Sequence, residues 1–371
     1  MCFLWQDDII LHMKYLSIMF SRACLATVAG IAALPACAKD VVAEKRTVKV
    51  LMIGNSFTES VMREAPALAK AEGFSLDIAQ CGIGGCPLDR HWANVEKAGD
   101  ADFKPYGVST SFSSDPAGGL PRKANVTDIL VAKKWDIVTI QQASGKSAFY
   151  DTYEPYAGNL IGKIRELAPQ AEIVVQETWS YTPYDNRLEK WKMTPAEMHA
   201  SLKKAYAQLA AKYGLRTIPT GDAVQLFRDR LPVDYGKPLT RAEIAALEEP
   251  ATIDFHGDVA GASVWARGRE GRHKDWNEVK LRPDFSHLNA RGHYLQACVW
   301  VGFLFGVDPT TFSYRPKSLP EADAKLMREC ARDALFFGKA VVVVRREGPG
   351  GITLTADSEG LEPANWHSNP R

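Results

Sequence analysis

The stretch VLMIGNSFTESV, residues 50–61, begins with an apolar run, breaks at Gly54 and continues with polar residues. A short apolar run that ends at glycine is typical of a buried strand, here residues 48–53. In open parallel sheets, ligands bind at the carboxyl ends of the strands. Ser56 is therefore a candidate site residue, although a serine three residues before Glu59 is also a normal helix N-cap.

Apolar runs alternate with helical patterns along the rest of the chain, which predicts a parallel sheet with crossover helices. Four more strands are predicted, at 74–79, 136–140, 172–176 and 216–218. Helices are predicted at 60–72, 126–134, 156–167, 195–213, 290–305 and 321–337. Two stretches with little periodicity, 99–122 and 229–283, are expected to be long loops over the site. The pattern describes one doubly wound α/β domain.

The segment RPDFSHLNARGHYL, residues 282–295, supplies a carboxylate and an imidazole three residues apart, Asp284 and His287. A serine hydroxyl is a poor nucleophile until a base accepts its proton, and that base is usually a histidine oriented by a carboxylate. We expect the pair to lie in a loop just before the helix that starts near Ala290. In the alternative interpretation Asp284 caps the next turn and His287 is a surface residue.

Two further segments follow predicted strands and carry hydrogen-bond donors. CGIGGCPL at 81–88 contains glycines, which allow backbone N–H groups to approach a ligand closely. TIQQAS at 139–144 offers amide and hydroxyl groups at the same edge of the sheet. Nucleophile, glycine loop, amide donor and the Asp-His pair therefore occur in order along the chain.

These segments resemble the SGNH (GDSL-like) hydrolase superfamily. IGNSFTES, GIGGCPLDRHW, WDIVTIQQAS and DFSHLNARGHYLQACVW look like its DUF4886-type branch, over residues 47–310. The resemblance implies a three-layer α/β/α sandwich with a mostly parallel, five-stranded, flavodoxin-like sheet. It also implies ester cleavage by a serine nucleophile without a cofactor.

On this resemblance Ser56 is the nucleophile, His287 the base and Asp284 its orienting acid. The backbone N–H groups of Ser56 and Gly85 are expected to form part of the oxyanion hole. The chain departs from the superfamily in its third block, where QQAS replaces Gly-x-Asn-Asp. Gln141 is the predicted substitute for the missing asparagine, with Gln142 as its rival.

Other residues near these segments are candidates for substrate binding. Asn55 stands where the GDSL form has aspartate and is expected to brace the loop. His91 and Trp92 could line a sugar pocket or fill a packed corner, and Ser144 is the last residue of the third block. Tryptophans that could stack on sugars or fill the core are Trp92, Trp179 and Trp265.

A metal centre is not predicted. Asp254, His256 and Asp258 in DFHGD resemble metal ligands only in type, because no further cluster completes a site. The pattern leaves a metal-dependent phosphoesterase as the least favoured alternative function.

The first part of the chain resembles a secretion signal. Basic residues precede the apolar run CLATVAGIAALPACA at 24–38, which is too short for a membrane span and ends in small residues. We expect residues 1–38 to be a signal peptide whose true start is Met13, since MCFLWQDDIILH contains two acidic residues. Soluble export is favoured over lipoprotein anchoring at Cys37. Stable membrane insertion is not expected after signal removal.

Seven cysteines are present, of which four follow the predicted signal peptide. In an oxidising compartment the most local pairing is Cys81 with Cys86 and Cys298 with Cys330. The alternative is that all four are buried thiols. Beyond the hydrolase domain, residues 311–345 are expected to be a helical extension and 346–371 a flexible tail.

Composition restricts the partners. Lysine and arginine total 45 against 44 acidic residues in 371, so no global charge favours nucleic acid. The predicted function is that of an exported serine esterase that hydrolyses an ester on a carbohydrate. The favoured ester is an O-acetyl group. Alternatives are a lipid or thioester hydrolase, an acyltransferase, or a non-catalytic glycan-binding module. Oligomeric state is left open.

Overall fold

The computed structural model describes residues 47–112, 119–231, 257–266, 280–336, 353–356 and 364–367. The predicted signal peptide, Met13 and Cys37 lie outside the described residues. The chain divides into two compact units, residues 43–335 and residues 1–42 with 336–371. In the second unit, where a flexible tail is predicted, Thr353–Ala356 (β10) pairs antiparallel with Ala364–His367 (β11).

The larger unit contains a seven-stranded sheet in the order β4-β3-β2-β1-β5-β6-β7. Its strands are β1 Thr47–Gly54, β2 Ser75–Gly82, β3 Tyr106–Ser111, β4 Lys123–Ala124, β5 Ile137–Ile140, β6 Glu172–Gln176 and β7 Arg216–Ile218. The five predicted strands are all present and parallel to one another, so the fold class is confirmed. The predicted number of strands is wrong, because β3 and β4 extend the sheet antiparallel beyond β2.

Helices cover both faces of the sheet. They are α1 Ser56–Glu59, α2 Val61–Ala71, α3 Leu88–Glu96, α4 Val126–Ala132, α5 Tyr156–Leu167, α6 Asn186–Trp191, α7 Pro195–Tyr213, α8 Thr220–Arg230, α9 Ala290–Phe305 and α10 Glu321–Phe336. Helix α9 packs against α2 and α8, whereas α3, α4 and α5 pack against one another. Right-handed crossovers place these two groups on opposite faces, which gives three layers. No helix in the described part of the chain is long and apolar enough to span a membrane.

A second, two-stranded sheet lies in the region that the sequence predicts as loop. Strand β8, Ala260–Ala266, pairs antiparallel with β9, Lys280–Leu288. Asp284 and His287 therefore lie on a strand, and the predicted loop location is wrong. Helix α1 contacts β9, so the hairpin reaches the end of β1.

The register of the sheet brings three strand ends together. Gly54 at the end of β1 lies opposite Gly82 of β2, and Ile53 lies opposite Ile140 of β5. The strand order reverses here, because the chain leaves β1 first toward β2 and later returns to β5 on its other side. Such a reversal opens a crevice at the carboxyl ends of the strands. The residues after β1, β2 and β5 therefore border one crevice.

Candidate active site

The turn after β1 is shaped by Gly54 and Asn55. A methyl group on Gly54 would lie 2.0 Å from Thr58 Oγ1, so only glycine allows this sharp exit from the strand. Asn55 is the N-cap of α1, and its Oδ1 accepts a hydrogen bond from the backbone N–H of Phe57 at 3.0 Å. The alternative interpretation of Ser56 as N-cap is therefore wrong. Ser56 is the first residue of the helix, and its hydroxyl is free of the capping role.

Ser56, His287 and Asp284 form a hydrogen-bonded chain. Ser56 Oγ lies 2.7 Å from His287 Nε2, although 231 residues separate them in the sequence. On the other side of the ring, His287 Nδ1 lies 2.6 Å from Asp284 Oδ2. These distances allow a proton to pass from the hydroxyl to the imidazole while the carboxylate holds the ring.

The second oxygen of Asp284 is held by its own strand. Asp284 Oδ1 accepts from the backbone N–H of Ser286 at 2.9 Å and from that of His287 at 3.0 Å. Burial raises the pKa of the Asp284 carboxyl, but hydrogen bonds from the side chain and backbone of His287 and from Ser286 outweigh it and hold that pKa well below its usual range. A carboxylate at Nδ1 keeps the proton on that nitrogen and leaves Nε2 free to accept from Ser56.

A stacked pair of aromatic rings packs beside His287. Phe57 stacks on Trp179 with ring centroids 4.2 Å apart and meets His287 edge-on at 5.1 Å. Trp179 Nε1 donates to the carbonyl of Ser286 at 2.8 Å. The prediction that Trp179 could stack on a sugar is wrong, because its side chain is fully buried. The side chain of Trp265 lies outside the described residues.

The segment after β6 fastens strand β9 to the sheet. Besides Trp179, Thr182 donates its backbone N–H to the carbonyl of Phe285 at 2.9 Å. Apart from Trp179, this segment, ETWSYT at 177–182, is not among the predicted site residues, although it directly follows a predicted strand. Its position at the carboxyl end of β6 is the same signal that singled out Ser56.

The start of strand β8 is fixed by a buried ion pair. Arg228 of α8 binds Asp258 with 3.0 Å between Nη2 and Oδ2, and the Asp258 side chain is fully buried. Asn289 Nδ2, at the cap of α9, donates to the carbonyls of Asp258 at 2.7 Å and Gly261 at 3.1 Å. Asp258 is thus a structural anion, while Asp254 and His256 lie outside the described residues.

The glycine loop after β2 forms a tight turn. Cys86 donates its backbone N–H to the carbonyl of Ile83 at 3.1 Å, and Gly85 adopts φ +62° within this turn. Gly85 is exposed and has open space around its Cα. The loop is attached to the turn that carries Ser56, because Asn55 Nδ2 donates to the carbonyl of Cys86 at 3.2 Å.

The two glutamines of the third block have different surroundings. Gln142 accepts from the backbone N–H of Leu88 at 3.0 Å and donates to the carbonyl of Thr152 at 3.0 Å, and it is fully buried. Its amide is therefore occupied by loop contacts, which removes it as the rival oxyanion donor. Gln141 donates to Asn55 Oδ1 at 2.8 Å and is 1% exposed.

The remaining candidates for substrate binding have mixed outcomes. His91 is fully buried, with Nδ1 2.9 Å from the hydroxyl of Tyr106, so the prediction that it lines a pocket is wrong. Burial lowers the pKa of His91 to about 4, which keeps the ring neutral. Trp92 and Ser144 are half-buried, and Trp92 packs against the core.

The cysteine pairing is also corrected. Cys81, Cys86, Cys298 and Cys330 are free thiols, and all are buried. Burial raises the pKa of Cys86 to about 12 and that of Cys298 to about 12, so both thiols stay protonated. They act as small apolar core residues.

One group of potential metal ligands occurs away from the triad within the described residues. Atoms of Glu177, His199 and Asp222 lie within 4.8 Å of one another. Lys203 Nζ binds Asp222 at 2.9 Å, and His199 Nε2 lies 3.2 Å from the same carboxylate. These contacts describe an ion-pair network that joins α7 to α8.

Comparison with known proteins identifies a family. A family model described as "Domain of unknown function (DUF4886)" matches residues 49–234, half of the chain. A DUF4886 family protein from Bacteroides uniformis is 25% identical, with 81% of this chain and 98% of that protein covered and a TM-score of 0.60. No curated protein matches the chain.

Similar solved structures also include hydrolases. One is a candidate SGNH hydrolase from Slackia heliotrinireducens, 19% identical, covering 69% of this chain and 98% of that one, with a TM-score of 0.38. Another is a family 3 carbohydrate esterase from Clostridium thermocellum, 12% identical, covering 70% and 98%, with a TM-score of 0.36.

Proposed function

The chain belongs to the DUF4886 family, and we propose that it is an exported serine esterase with a Ser56-His287-Asp284 triad. The observation that carries the proposal is the unbroken chain of contacts from Ser56 Oγ through both ring nitrogens of His287 to Asp284. A triad is recognised by such geometry and by the roles it permits, whatever the order of its members along the chain.

In the first half of the proposed reaction, Ser56 Oγ attacks the ester carbonyl carbon while its proton moves to His287 Nε2. Backbone N–H groups of Ser56 and Gly85 donate to the oxygen on which negative charge develops. His287 then gives the proton to the leaving alcohol. The products of this half are the free alcohol and an acyl group bonded to Ser56.

In the second half, water takes the place of the alcohol. His287 accepts a proton from the water, whose oxygen attacks the acyl carbon, and the same proton returns to Ser56 Oγ as the acid leaves. Asp284 remains anionic throughout and stabilises the positive charge on the ring. No other group is required to balance this reaction.

The substrate that we propose first is an O-acetyl ester on a carbohydrate, in the periplasm or outside the cell. Two sequence features support it, namely the secretion signal predicted at residues 1–38 and the resemblance to SGNH hydrolases. Of the three tryptophans considered for sugar stacking, Trp92 is the one whose described side chain is not fully buried. A lipid ester or a thioester is the alternative substrate for the same triad.

The test is hydrolysis of p-nitrophenyl acetate by the wild type, Ser56→Ala and His287→Ala. We expect each variant to lose roughly three orders of magnitude in kcat or more, while circular dichroism shows an intact fold. Ser75→Ala is the matched control, because Ser75 is a half-buried serine at the opposite end of the sheet, where its hydroxyl lies 2.9 Å from that of Thr47. Wild-type turnover by Ser56→Ala would rule out the nucleophile.

A second assay addresses the substrate. Acetate release is measured from a panel of acetylated polysaccharides, with Ser56→Ala as the blank. Release that depends on Ser56 supports the carbohydrate esterase. Glycan binding without any Ser56-dependent turnover would instead indicate a non-catalytic binding module.

Export is tested by cell fractionation and by the mass of the mature N-terminus. Cleavage near Ala38 without a lipid supports soluble export. A lipid-modified Cys37 would favour anchoring instead. Full-length protein retained in the cytoplasm would contradict both.

A further inference from the structure

Three buried amide side chains from three neighbouring strands meet at the turn that carries Ser56. Gln80 lies near the end of β2, Asn55 follows β1 and Gln141 follows β5, and they are 4%, 2% and 1% exposed. Gln80 Nε2 donates to the backbone carbonyl of Asn55 at 3.1 Å. Gln141 Nε2 donates to the side-chain oxygen of the same residue at 2.8 Å. We call these three residues the amide clamp.

Within the amide clamp, Asn55 forms hydrogen bonds beside both parts of the proposed oxyanion hole. Its Oδ1 accepts from Phe57 N, next to Ser56, at 3.0 Å, while its Nδ2 donates to the carbonyl of Cys86, next to Gly85, at 3.2 Å. The side chain thus spans the distance between the nucleophile turn and the glycine loop. Its bonds fix the separation of the two backbone N–H groups.

The direction of the Gln141 amide follows from these bonds. Asn55 must present its oxygen to the backbone N–H of Phe57 and its nitrogen to the carbonyl of Cys86. Gln141 therefore has to present its nitrogen to Asn55, because the opposite orientation would place two acceptors against each other. One of the two N–H groups of the Gln141 amide is thereby committed to Asn55, and the side chain that carries the other is 1% exposed.

We propose that Gln141 is a positioning residue that acts through Asn55, and that it is not the side-chain donor of the oxyanion hole. This inference rests on the proposed function and corrects the role that the family pattern suggests. The oxyanion hole is then formed by the backbone N–H groups of Ser56 and Gly85. A buried amide is well suited to this role, because an unsatisfied partner in the interior would be costly.

The test is a double-mutant cycle with Gln141→Met, Asn55→Ala and the double variant. A positioning role predicts that Gln141→Met lowers kcat for p-nitrophenyl acetate by roughly tenfold with KM within about twofold. It further predicts that the same substitution has almost no effect once Asn55 is alanine. A direct oxyanion donor predicts a loss of roughly a hundredfold that multiplies with the loss from Asn55→Ala. Multiplying effects would overturn the proposal.

Asn55→Asp is the matched control background. An aspartate retains an oxygen that can accept from Gln141 and Phe57, but it loses the donor to Cys86. We therefore expect Gln141→Met to regain its roughly tenfold effect in the Asn55→Asp protein. Absence of the effect in this background would contradict a route through the acceptor oxygen of Asn55.

Urea unfolding of the same four proteins of the cycle separates this inference from the proposed function, since it needs no substrate. Non-additive changes in the free energy of unfolding are expected for Gln141→Met and Asn55→Ala. Additive changes would overturn the clamp even if the wild type has no esterase activity. Loss of activity in all proteins with a non-additive cycle would instead contradict the esterase proposal and leave the clamp standing.

Discussion

The two halves of the proposed triad are built in different ways. Ser56 follows the central strand β1, whose residues Val50, Leu51, Met52 and Ile53 are at most 1% exposed. His287 and Asp284 lie on β9 of a separate two-stranded sheet, with side chains 40% and 38% exposed. Main-chain pairing with β2 and β5 holds the first half. Contacts to the segment after β6 and the capping contacts of α9 fasten the second.

This difference separates stability from catalysis. A substitution at β1 or the turn after it disturbs the core and Ser56 together. A substitution that loosens the β8-β9 hairpin can displace His287 while the seven-stranded sheet stays folded. The two halves can therefore be distinguished by measuring unfolding and turnover on the same variants. The expected effect on turnover decreases from Asp284→Asn through Gly54→Ala and Trp179→Phe to the acid titration of two histidines.

Asp284→Asn is expected to have the largest effect on turnover and little effect on the fold. Asparagine can place its N–H toward His287 Nδ1 and leave the proton on the wrong nitrogen, so kcat should fall by roughly a thousandfold or more. Asp308→Asn is the control, because Asp308 also accepts from the backbone two residues ahead, at 2.8 Å from Thr310 N. A kcat of Asp284→Asn within tenfold of the wild-type value would show that the reaction does not depend on this carboxylate.

Gly54→Ala is expected to damage both properties. The added methyl would lie 2.0 Å from Thr58 Oγ1 and 3.3 Å from Gln141 Cγ, so the turn must move. We expect the free energy of unfolding to fall by about 3 kcal/mol and kcat to fall with it. Gly162→Ala, with open space around its Cα in helix α5, should be neutral or slightly stabilising. An unchanged urea midpoint for Gly54→Ala would show that the turn tolerates a side chain.

Trp179→Phe tests the fastening of the hairpin. Phenylalanine keeps a ring against Phe57 but cannot donate to the Ser286 carbonyl, so stability should fall by about 1 kcal/mol and kcat by roughly threefold to tenfold. Trp135→Phe is the matched control, since Trp135 is fully buried and donates to the Ile129 carbonyl at 2.8 Å. The control should lose similar stability with kcat unchanged. Equal losses of kcat in both variants would argue against a specific fastening.

Acid should reveal one histidine in each half of the proposed triad's surroundings, the buried His91 and the half-buried His293. Burial lowers the pKa of His91 to about 4 and that of His293 to about 4. The unfolded chain therefore binds more protons between pH about 6.5 and 4, so stability is complete above that window and falls as the pH drops through it. His91→Gln should remove about 2 kcal/mol of the loss between pH 7 and 4.5. The same measurement on His293→Gln gives the contribution of His293, beside the hairpin, to the slope of the free energy of unfolding against pH.

The expected result, measured by urea unfolding at each pH, is a pH dependence of stability that is shallower in His91→Gln than in the wild type, with the contribution of His293 still present. An unchanged slope would mean that the pKa of the His91 ring is the same in the folded and the unfolded protein. Turnover need not follow this curve, because His91 does not reach the crevice.

The parallel strands could be predicted, and the residues of the proposed triad could be singled out, because each has a local signal. The apolar runs of the five parallel strands are bounded by turn residues, and Thr194, Pro195 and Gly214 mark both ends of α7 as the structure has them. Ser56 was found by its place after β1. The Asp-His pair was found because its two members are only three residues apart.

The errors lie where contacts between distant segments override local pattern. Strand β3 is rich in serine and glycine, and it pairs because β2 offers a free edge. His91 is polar, yet helix α3 buries it against Tyr106. The free thiols could not be distinguished from disulfides, because proximity in sequence does not determine whether cysteine side chains meet.

By itself the sequence determined the fold class, the strand that delivers Ser56 and the residues available for a triad, because periodicity, glycine and capping residues act within a few positions. Only the tertiary structure decided that Gln141 binds Asn55 and that β9 brings His287 to within 2.7 Å of Ser56. These are contacts between segments as much as 231 residues apart. The direction in which a buried amide points depends on every partner around it, and those partners are assembled only when the sheet and the hairpin meet.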